Sequence, residues 1–341
     1  MLEIQQALLE DSELEIAAAQ AQLPPTVVGW VDDIAIPICA TTPMKLLEMV
    51  QRTGERVITV TKKAGLTVNL DKGKTECVAN FRGHGAPQMR KELFVDKGGK
   101  VALHPAEVQD DGSMELQVVG VYTHLGTCVG QDLNMKGEVH RRIGQAQSSH
   151  RLLQKSVFQN KRISKKTRFQ LLESLVCTRL FYNIGVWGQL TPGLAKKLEH
   201  VMVGWFRQIA GDGFWNAETT KDEMFMQKWE IPTLQVRIAI AQLRFCIGAF
   251  HNAKDTVWEF IKLEADTSES SWFCLLREAL VWFQTILPNK TPEGLDMQTI
   301  TPQQLEDWFS GPKDPRKLIC GSYFANIYYK NVWSRRSRRA T

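Results

Sequence analysis

The hydrophobic pattern of the chain changes near residue 130. Before that point the chain has short apolar stretches separated by turn residues, at 27–31, 34–36, 66–70, 75–81 and 116–122. Stretches of this length predict β-strands, and the first two, separated by Asp32 and Asp33, predict a hairpin. After residue 130, apolar residues recur at spacings of three and four, which predicts helices. We therefore expect an α+β protein.

Two segments of the first part have a helical pattern. Residues 2–22 are rich in Ala, Glu, Gln and Leu, and Pro24-Pro25 ends that pattern. Thr42-Pro43 supplies an N-cap and a first-turn proline for a helix that ends before Gly65. The stretch 83–113 is rich in Gly, Asp and Lys, so it is predicted to be a long loop or a hairpin insertion.

The second part is predicted to be a series of helices. Their apolar stripes run from 139 to 157, 164 to 180, 191 to 211, 233 to 252, 255 to 264, 271 to 287 and 302 to 310. Trp187 and Trp205 fall on these stripes, so we expect both to lie in the core.

Composition and targeting signals narrow the class of protein. Charged residues make up 23% of the chain and hydrophobic residues 43%, which is typical of a globular protein. The sequence has no apolar run of about 18 residues, and its first residues are acidic where a secretory signal would be basic. We expect an intracellular protein, nuclear or cytoplasmic, without a membrane segment.

Basic residues are concentrated in one part of the chain. Residues 136–168 contain ten Lys and Arg residues and one acid, Glu138. This concentration favours a polyanion as a partner, although a solvated helical face has the same pattern. The candidate nucleic-acid contacts are Arg141, Arg142, Arg151, Lys155, Lys161, Arg162, Lys165 and Lys166.

Asp32 and Asp33 are the candidate metal ligands. Two adjacent carboxylates on a tight hairpin can direct their oxygens towards one cation, and Mg²⁺ usually binds through one or two carboxylates plus substrate phosphates. Polymerases hold two such ions about 4 Å apart. Because Asp is also a common turn residue, the pair alone leaves a structural role open.

Several motifs occur together in a familiar order. Trp30-Val31-Asp32-Asp33-Ile34-Ala35 resembles the aromatic-x-Asp-Asp core of reverse transcriptases from non-LTR retrotransposons. Gly65–Asn69 with Gly73–Glu76, and then Tyr122–Gly126, resemble the next motifs of that family. Helical segments that resemble its thumb follow, so the resemblance covers roughly residues 27–250. His124 departs from the pattern, because the family more often has an aromatic residue, usually Tyr, there.

The resemblance implies a role for each motif. Asp32 and Asp33 would bind Mg²⁺ or Mn²⁺ for two-metal nucleotidyl transfer. Lys74 would act as a general acid or charge clamp near the leaving pyrophosphate, with Lys72 as a competitor for that role. Gly126 would let the backbone approach a primer closely. The basic helices would contact the phosphates of an RNA template and a DNA primer.

The front half of such an enzyme is missing. The family has a third carboxylate and a nucleotide-binding helix well before the paired aspartates, but only 31 residues precede Asp32. Asp11 does not match the pattern of that third carboxylate. We therefore expect a truncated chain that does not polymerise DNA alone, or that needs a partner chain for the missing part. The shortened sheet would expose apolar surface unless the N-terminal helix covers it.

The predicted organisation has four parts. They are an N-terminal helix at 1–23, a partial palm at 24–130, a thumb-like helical region at 131–215 and a helical extension with a basic tail at 216–341. Two other hypotheses remain open at this point. The chain could be a non-enzymatic nucleic-acid-binding protein that uses the basic helices, or a remnant without function.

Overall fold

A computed structural model describes residues 2–11, 28–30, 33–105, 114–124, 126–132, 134–211, 221–267, 271–288 and 291–311. The protein has a mixed α+β fold, as the sequence predicts. The chain divides between Gly137 and Glu138 into two compact units. Among the described helices, none has the length and apolar character needed to cross a membrane.

The first unit contains three small sheets. Their strands are β1 (Val28–Trp30), β2 (Asp33–Ala35), β3 (Glu76–Val78), β4 (Lys100–Leu103), β5 (Met114–Val119), β6 (Val121–His124) and β7 (Thr127–Gly130). Strands β1 and β2 form an antiparallel hairpin, and so do β6 and β7. Strand β5 is the centre of the third sheet, where it pairs parallel to β3 and antiparallel to β4.

Three helices accompany these sheets. They are α1 (Leu2–Leu9), α2 (Pro43–Lys63) and α3 (Ala86–Arg90), which continues as a π-helical segment, Lys91–Asp96. Helix α2 begins where the sequence predicts, because Thr42 Oγ1 accepts a hydrogen bond from the Lys45 amide at 3.2 Å. The core of the unit lies between α2, α3 and the central sheet. Its buried side chains include Val50, Ile58, Phe81, Leu93, Val101, Leu103, Leu116 and Val118.

Two predictions for this unit need correction. Residues 66–70 form an irregular segment, so the predicted strand there is wrong. The stretch 83–113 contains helix α3 and strand β4, although only a loop or hairpin was predicted, and residues 106–113 lie outside the described residues. Gly99 explains part of this difference. Its amide donates to Leu93 O and its carbonyl accepts from the Val118 amide, each at 2.7 Å, so distant pairing orders a Gly-rich stretch.

The second unit is helical. Its helices are α4 (Lys136–Leu153), α5 (Lys165–Leu172), α6 (Pro192–Ala210), α7 (Asp222–Lys228), α8 (Leu234–Asn252), α9 (Glu259–Thr267), α10 (Trp272–Ile286) and α11 (Pro302–Ser310). Helix α4 continues as a π-helical turn, Gln154–Phe158, and α5 continues through Glu173–Cys177 into Thr178–Leu180. Threonine side chains cap α6, α8 and α11. Trp187 and Trp205 are buried, which confirms their predicted place in the core.

A very close backbone contact joins two parts of this unit. The short turn Ile184–Val186 packs against helix α8, and a Cβ atom built on Gly185 would lie 2.5 Å from Ala241 O and 2.8 Å from Ala241 C. Trp272 Nε1 on α10 donates to Gly185 O at 2.9 Å, so the same glycine contacts a second helix. Any side chain at this position would force the turn away from α8.

We expect Gly185→Ala to destabilise the second unit by roughly 2 kcal/mol, because overpacking a close contact typically costs about 1–3 kcal/mol. Gly188→Ala is the matched control, since a Cβ there would meet nothing within 4 Å. Urea unfolding followed by tryptophan fluorescence measures both, and nine of the ten tryptophans lie beyond residue 137. Equal unfolding midpoints for the two variants would contradict the packing argument.

Candidate nucleic-acid interface

The second of the paired aspartates, Asp33, lies in the β1–β2 hairpin. Trp30 pairs with Asp33 across the antiparallel ladder, so the predicted hairpin is confirmed, but Asp33 is the first residue of β2 rather than part of the turn. Asp32 lies outside the described residues.

Lys74 is exposed in a tight turn before β3. Its amide donates to Asp71 O at 3.0 Å, and the Gly73 amide donates to Glu76 Oε1 at 2.7 Å. Gly73 has a φ of +81°, a conformation that favours glycine. The hydroxyl of Tyr122 donates to Lys74 O at 2.7 Å, which joins this turn to β6.

Gly126 lies in the turn between β6 and β7. His124 pairs with Thr127, and Gly126 between them has a φ of +78°. A Cβ built on Gly126 would meet nothing within 4 Å, so glycine is needed here for backbone conformation, and the space around it is open. Tyr122 therefore joins the turn that contains Lys74 to the hairpin that contains Gly126. Asp33 belongs to a different sheet, β1–β2, from the one that follows Lys74.

Asp11 holds the N-terminal segment in place. It is 1% exposed, and its Oδ2 accepts from Arg52 Nε at 2.6 Å and Arg56 Nε at 3.2 Å, both on α2. A carboxylate engaged by two guanidinium groups is satisfied as it stands. Asp11 therefore joins the N-terminal segment to helix α2.

Helix α1 covers apolar surface of the first unit. Ile4 and Leu8 are buried against Met49 of α2, with Ile36 and Ile38 alongside. The sequence leaves open whether the N-terminal helix protects the shortened sheet, and this packing shows that it covers the side chains that follow β2.

Some of the candidate basic residues are engaged within the fold. Arg142 is buried; its Nε donates to Glu138 Oε1, and its guanidinium lies 4.4 Å from the centre of the Tyr182 ring. This position removes Arg142 from the candidate phosphate contacts, because a buried, paired guanidinium cannot meet a polyanion. Arg141 is half-buried and lies 3.9 Å from Glu138 Oε2. Lys165 Nζ donates to Ala210 O at 2.8 Å, the last carbonyl of helix α6.

The remaining candidates form an exposed group, which we call the basic corner. It consists of Arg151, Lys155, Lys161, Arg162 and Lys166, all exposed, around the turn from α4 to α5. Within the described part of the chain, none of the five side chains is in an ion pair. The chain has no Asp or Glu between Glu138 and Glu173. The corner therefore presents positive charge that the described fold leaves unneutralised.

A stack of rings fixes the corner to the unit beneath it. The His150 ring lies between Phe158 and Trp205, with ring centres 5.0 Å and 5.2 Å away and planes within 9° and 14°. The buried Arg168 donates from Nη1 to Phe158 O at 2.8 Å, which joins α5 to the end of α4. These contacts pack the end of α4, next to the basic corner, against α5 and α6.

The start of α5 adds to the positive potential. Ser164 caps the helix by accepting from the Thr167 amide at 3.1 Å, and Lys165 and Lys166 occupy the first turn. The N-terminus of a helix already carries partial positive charge, which disfavours lysine and favours anions. Lys165 donates to a carbonyl of α6. Lys166 is exposed, so a bound external anion would offset the unfavourable position of its positive charge at the helix N-terminus.

The described residues contain no group of three or more His, Cys, Asp or Glu side chains that could hold a metal ion. The hairpin supplies at most the carboxylates of Asp32 and Asp33, whereas Mg²⁺ requires about six oxygen ligands. The residues do not by themselves fit a complete two-metal site, so we derive no catalytic step through a metal.

No family model, no curated protein and no solved structure matches this chain. The resemblance to reverse transcriptases therefore rests on the motifs themselves. The geometry of the described residues must carry the functional argument.

We expect the free energy of unfolding of the second unit to fall on acidification. Burial lowers the pKa of His150, so the unfolded chain takes up a proton at higher pH than the folded one. The stabilisation is complete above about pH 6.5, the ordinary value for histidine, and is lost as the pH falls towards the lowered pKa. His150→Phe removes this group and retains an aromatic ring.

Urea unfolding of the wild type and of His150→Phe between pH 7.5 and pH 5 measures the effect. The wild type should lose more stability than the variant over this range. His200→Phe, at an exposed position of α6, serves as the control and should follow the wild type. Parallel pH profiles for the wild type and His150→Phe would exclude His150 as the responsible group.

Proposed function

We propose that this chain is a nucleic-acid-binding protein of reverse-transcriptase type, related to non-LTR retroelement enzymes, that does not polymerise DNA alone. The basic corner is the observation that carries the proposal. Five exposed basic side chains surround one helix-to-helix turn, no acid lies among them, and none has a counter-ion within the described residues. Such a surface binds phosphates by charge and by release of the counter-ions of the nucleic acid.

Contacts at the corner would be to the backbone of the nucleic acid rather than to its bases. The single aromatic residue between 151 and 166 is Phe158, which is buried in the ring stack. Proteins that read or hold unpaired bases usually present exposed aromatic rings, whereas lysines and arginines contact phosphates without sequence preference. We therefore expect binding to RNA and DNA of any sequence, with strong dependence on salt.

The first unit supports the kinship with polymerases. The β1–β2 hairpin, in which β2 begins at Asp33, precedes a long capped helix. A second hairpin with Gly126 at its turn follows, and its Tyr122 donates to Lys74 O. This order of elements agrees with the order of motifs in the resemblance. Lys74, exposed at the end of a rigid turn, is placed to offer its ammonium group to an anion.

The same unit also supports the lack of polymerase activity. Two carboxylates leave a pair of metal ions without enough ligands, and Asp11, the acid that precedes them most closely among the described residues, is held by Arg52 and Arg56. Helix α1 packs on the surface of α2 beyond the hairpin. Synthesis would need further metal ligands, together with template and nucleotide contacts, beyond those of the residues described.

We expect no primer extension by the purified chain on an RNA template, with Mg²⁺ or with Mn²⁺. The Asp32→Ala, Asp33→Ala double variant provides the comparison. Extension by the wild type that the double variant abolishes would show that the chain completes a metal site by itself. It would contradict the proposal that the chain does not polymerise DNA alone.

Removing three charges from the basic corner should weaken nucleic-acid binding. For Lys155→Ala, Lys161→Ala, Arg162→Ala, we expect the slope of log K against log salt to become shallower by about 2 to 3, since each lost phosphate contact contributes roughly 0.7 to 0.9. Fluorescence anisotropy with a labelled RNA at several salt concentrations measures the slope.

The matched control, Lys62→Ala, Arg82→Ala, Lys91→Ala, also removes two lysines and one arginine, but from the first unit. These three side chains are also exposed. The control should bind nearly as the wild type does. Equal losses for the two triple variants would mean that binding depends on net charge alone, and a wild type that binds no nucleic acid would refute the proposed function.

A further inference from the structure

A second positively charged point lies outside the basic corner. Lys197 Nζ on helix α6 lies 3.0 Å from His140 Nε2 on helix α4, and both residues are exposed. The two positions are 57 residues apart in the chain, so no sequence pattern indicates the pair. This contact brings the ammonium group of Lys197 to α4.

The chemistry of the pair suits a phosphate. An ammonium group has three hydrogen-bond donors and no acceptor. The imidazole nitrogen of His140 can accept one of these hydrogen bonds, which leaves two donors for an external anion. Among the described residues, no carboxylate lies within ion-pair distance of Lys197 Nζ.

His140 of the pair and Arg151 of the basic corner lie on one face of α4. His140 and Arg151 are eleven residues apart in the chain, which is close to three full turns of 3.6 residues. Their side chains therefore point to the same side, about 16 Å apart along the helix. Gly144, Gln147 and Ser148 lie between them on this face and are uncharged, so a bound strand would meet no acidic side chain of α4 on the way.

We infer that His140 and Lys197 form a second phosphate-binding point, so that one nucleic-acid strand is held at two places along helix α4. The inference rests on the proposed function and extends it beyond the corner. A spacing of about 16 Å corresponds to roughly five nucleotides of a stacked strand at about 3.4 Å each. Each additional contact to a single strand contributes about 0.7 to the salt slope, or roughly fivefold in affinity at 0.1 M salt.

The test is the affinity and salt slope of His140→Ala, Lys197→Ala for a labelled twelve-nucleotide RNA. We expect binding roughly fivefold weaker at 0.1 M salt, with a slope shallower by about 0.7 for the lost phosphate contact. His84→Ala, Lys91→Ala removes the same two residue types from exposed positions of the first unit and should bind as the wild type does. Lys197→Arg retains the charge and should retain most of the affinity.

The outcomes separate this inference from the proposed function. If the corner variant loses affinity while His140→Ala, Lys197→Ala binds as its control does, the second point is refuted and the function stands. The same holds if Lys197→Arg binds as weakly as the double variant, because the effect would then be structural rather than electrostatic. If the wild type fails to bind RNA, both the function and the second point are refuted.

Discussion

The helical unit depends on the contact between the turn at Ile184–Val186 and helix α8. Gly185 brings the turn so close to Ala241 that backbone meets backbone, and Trp272 adds a hydrogen bond to the same residue. Arg237 on α8 then reaches Glu173, with an Nη1 to Oε2 distance of 2.8 Å, in the helical run that begins at Lys165. These contacts hold that helical run against α8.

The position of the basic corner depends on how this helical run packs against α8. The run that Arg237 anchors begins with α5, whose Arg168 binds the carbonyl of Phe158 at the end of α4. Phe158 in turn stacks on His150, which stacks on Trp205 of α6. This series of contacts therefore connects the buried Gly185 with the exposed side chains of the basic corner. A polyanion bound there would meet preplaced charges, and little entropy would be lost on ordering the backbone.

Local signals predict much of this architecture. The cap at Thr42 and the apolar stripes place helices α2, α6, α8 and α11 to within a residue or two. The sequence fails where distant pairing decides. Strand β4 and the helical segment before it depend on β5, and the irregular stretch at 66–70 has apolar residues without a partner strand. The sequence also could not show that Arg142 is buried while other candidate arginines are exposed, because its contacts with Glu138 and Tyr182 form only in the folded chain.

Asp11 has a consequence for the order in which the first unit forms. Its partners, Arg52 and Arg56, follow it by 41 and 45 residues in the chain, and both lie on one side of α2. The carboxylate therefore has no binding site until that helix exists, and closing so long a loop costs conformational entropy. Residues 2–11 should accordingly be the last part of the first unit to gain protection from hydrogen exchange during refolding, and the first to lose it in denaturant.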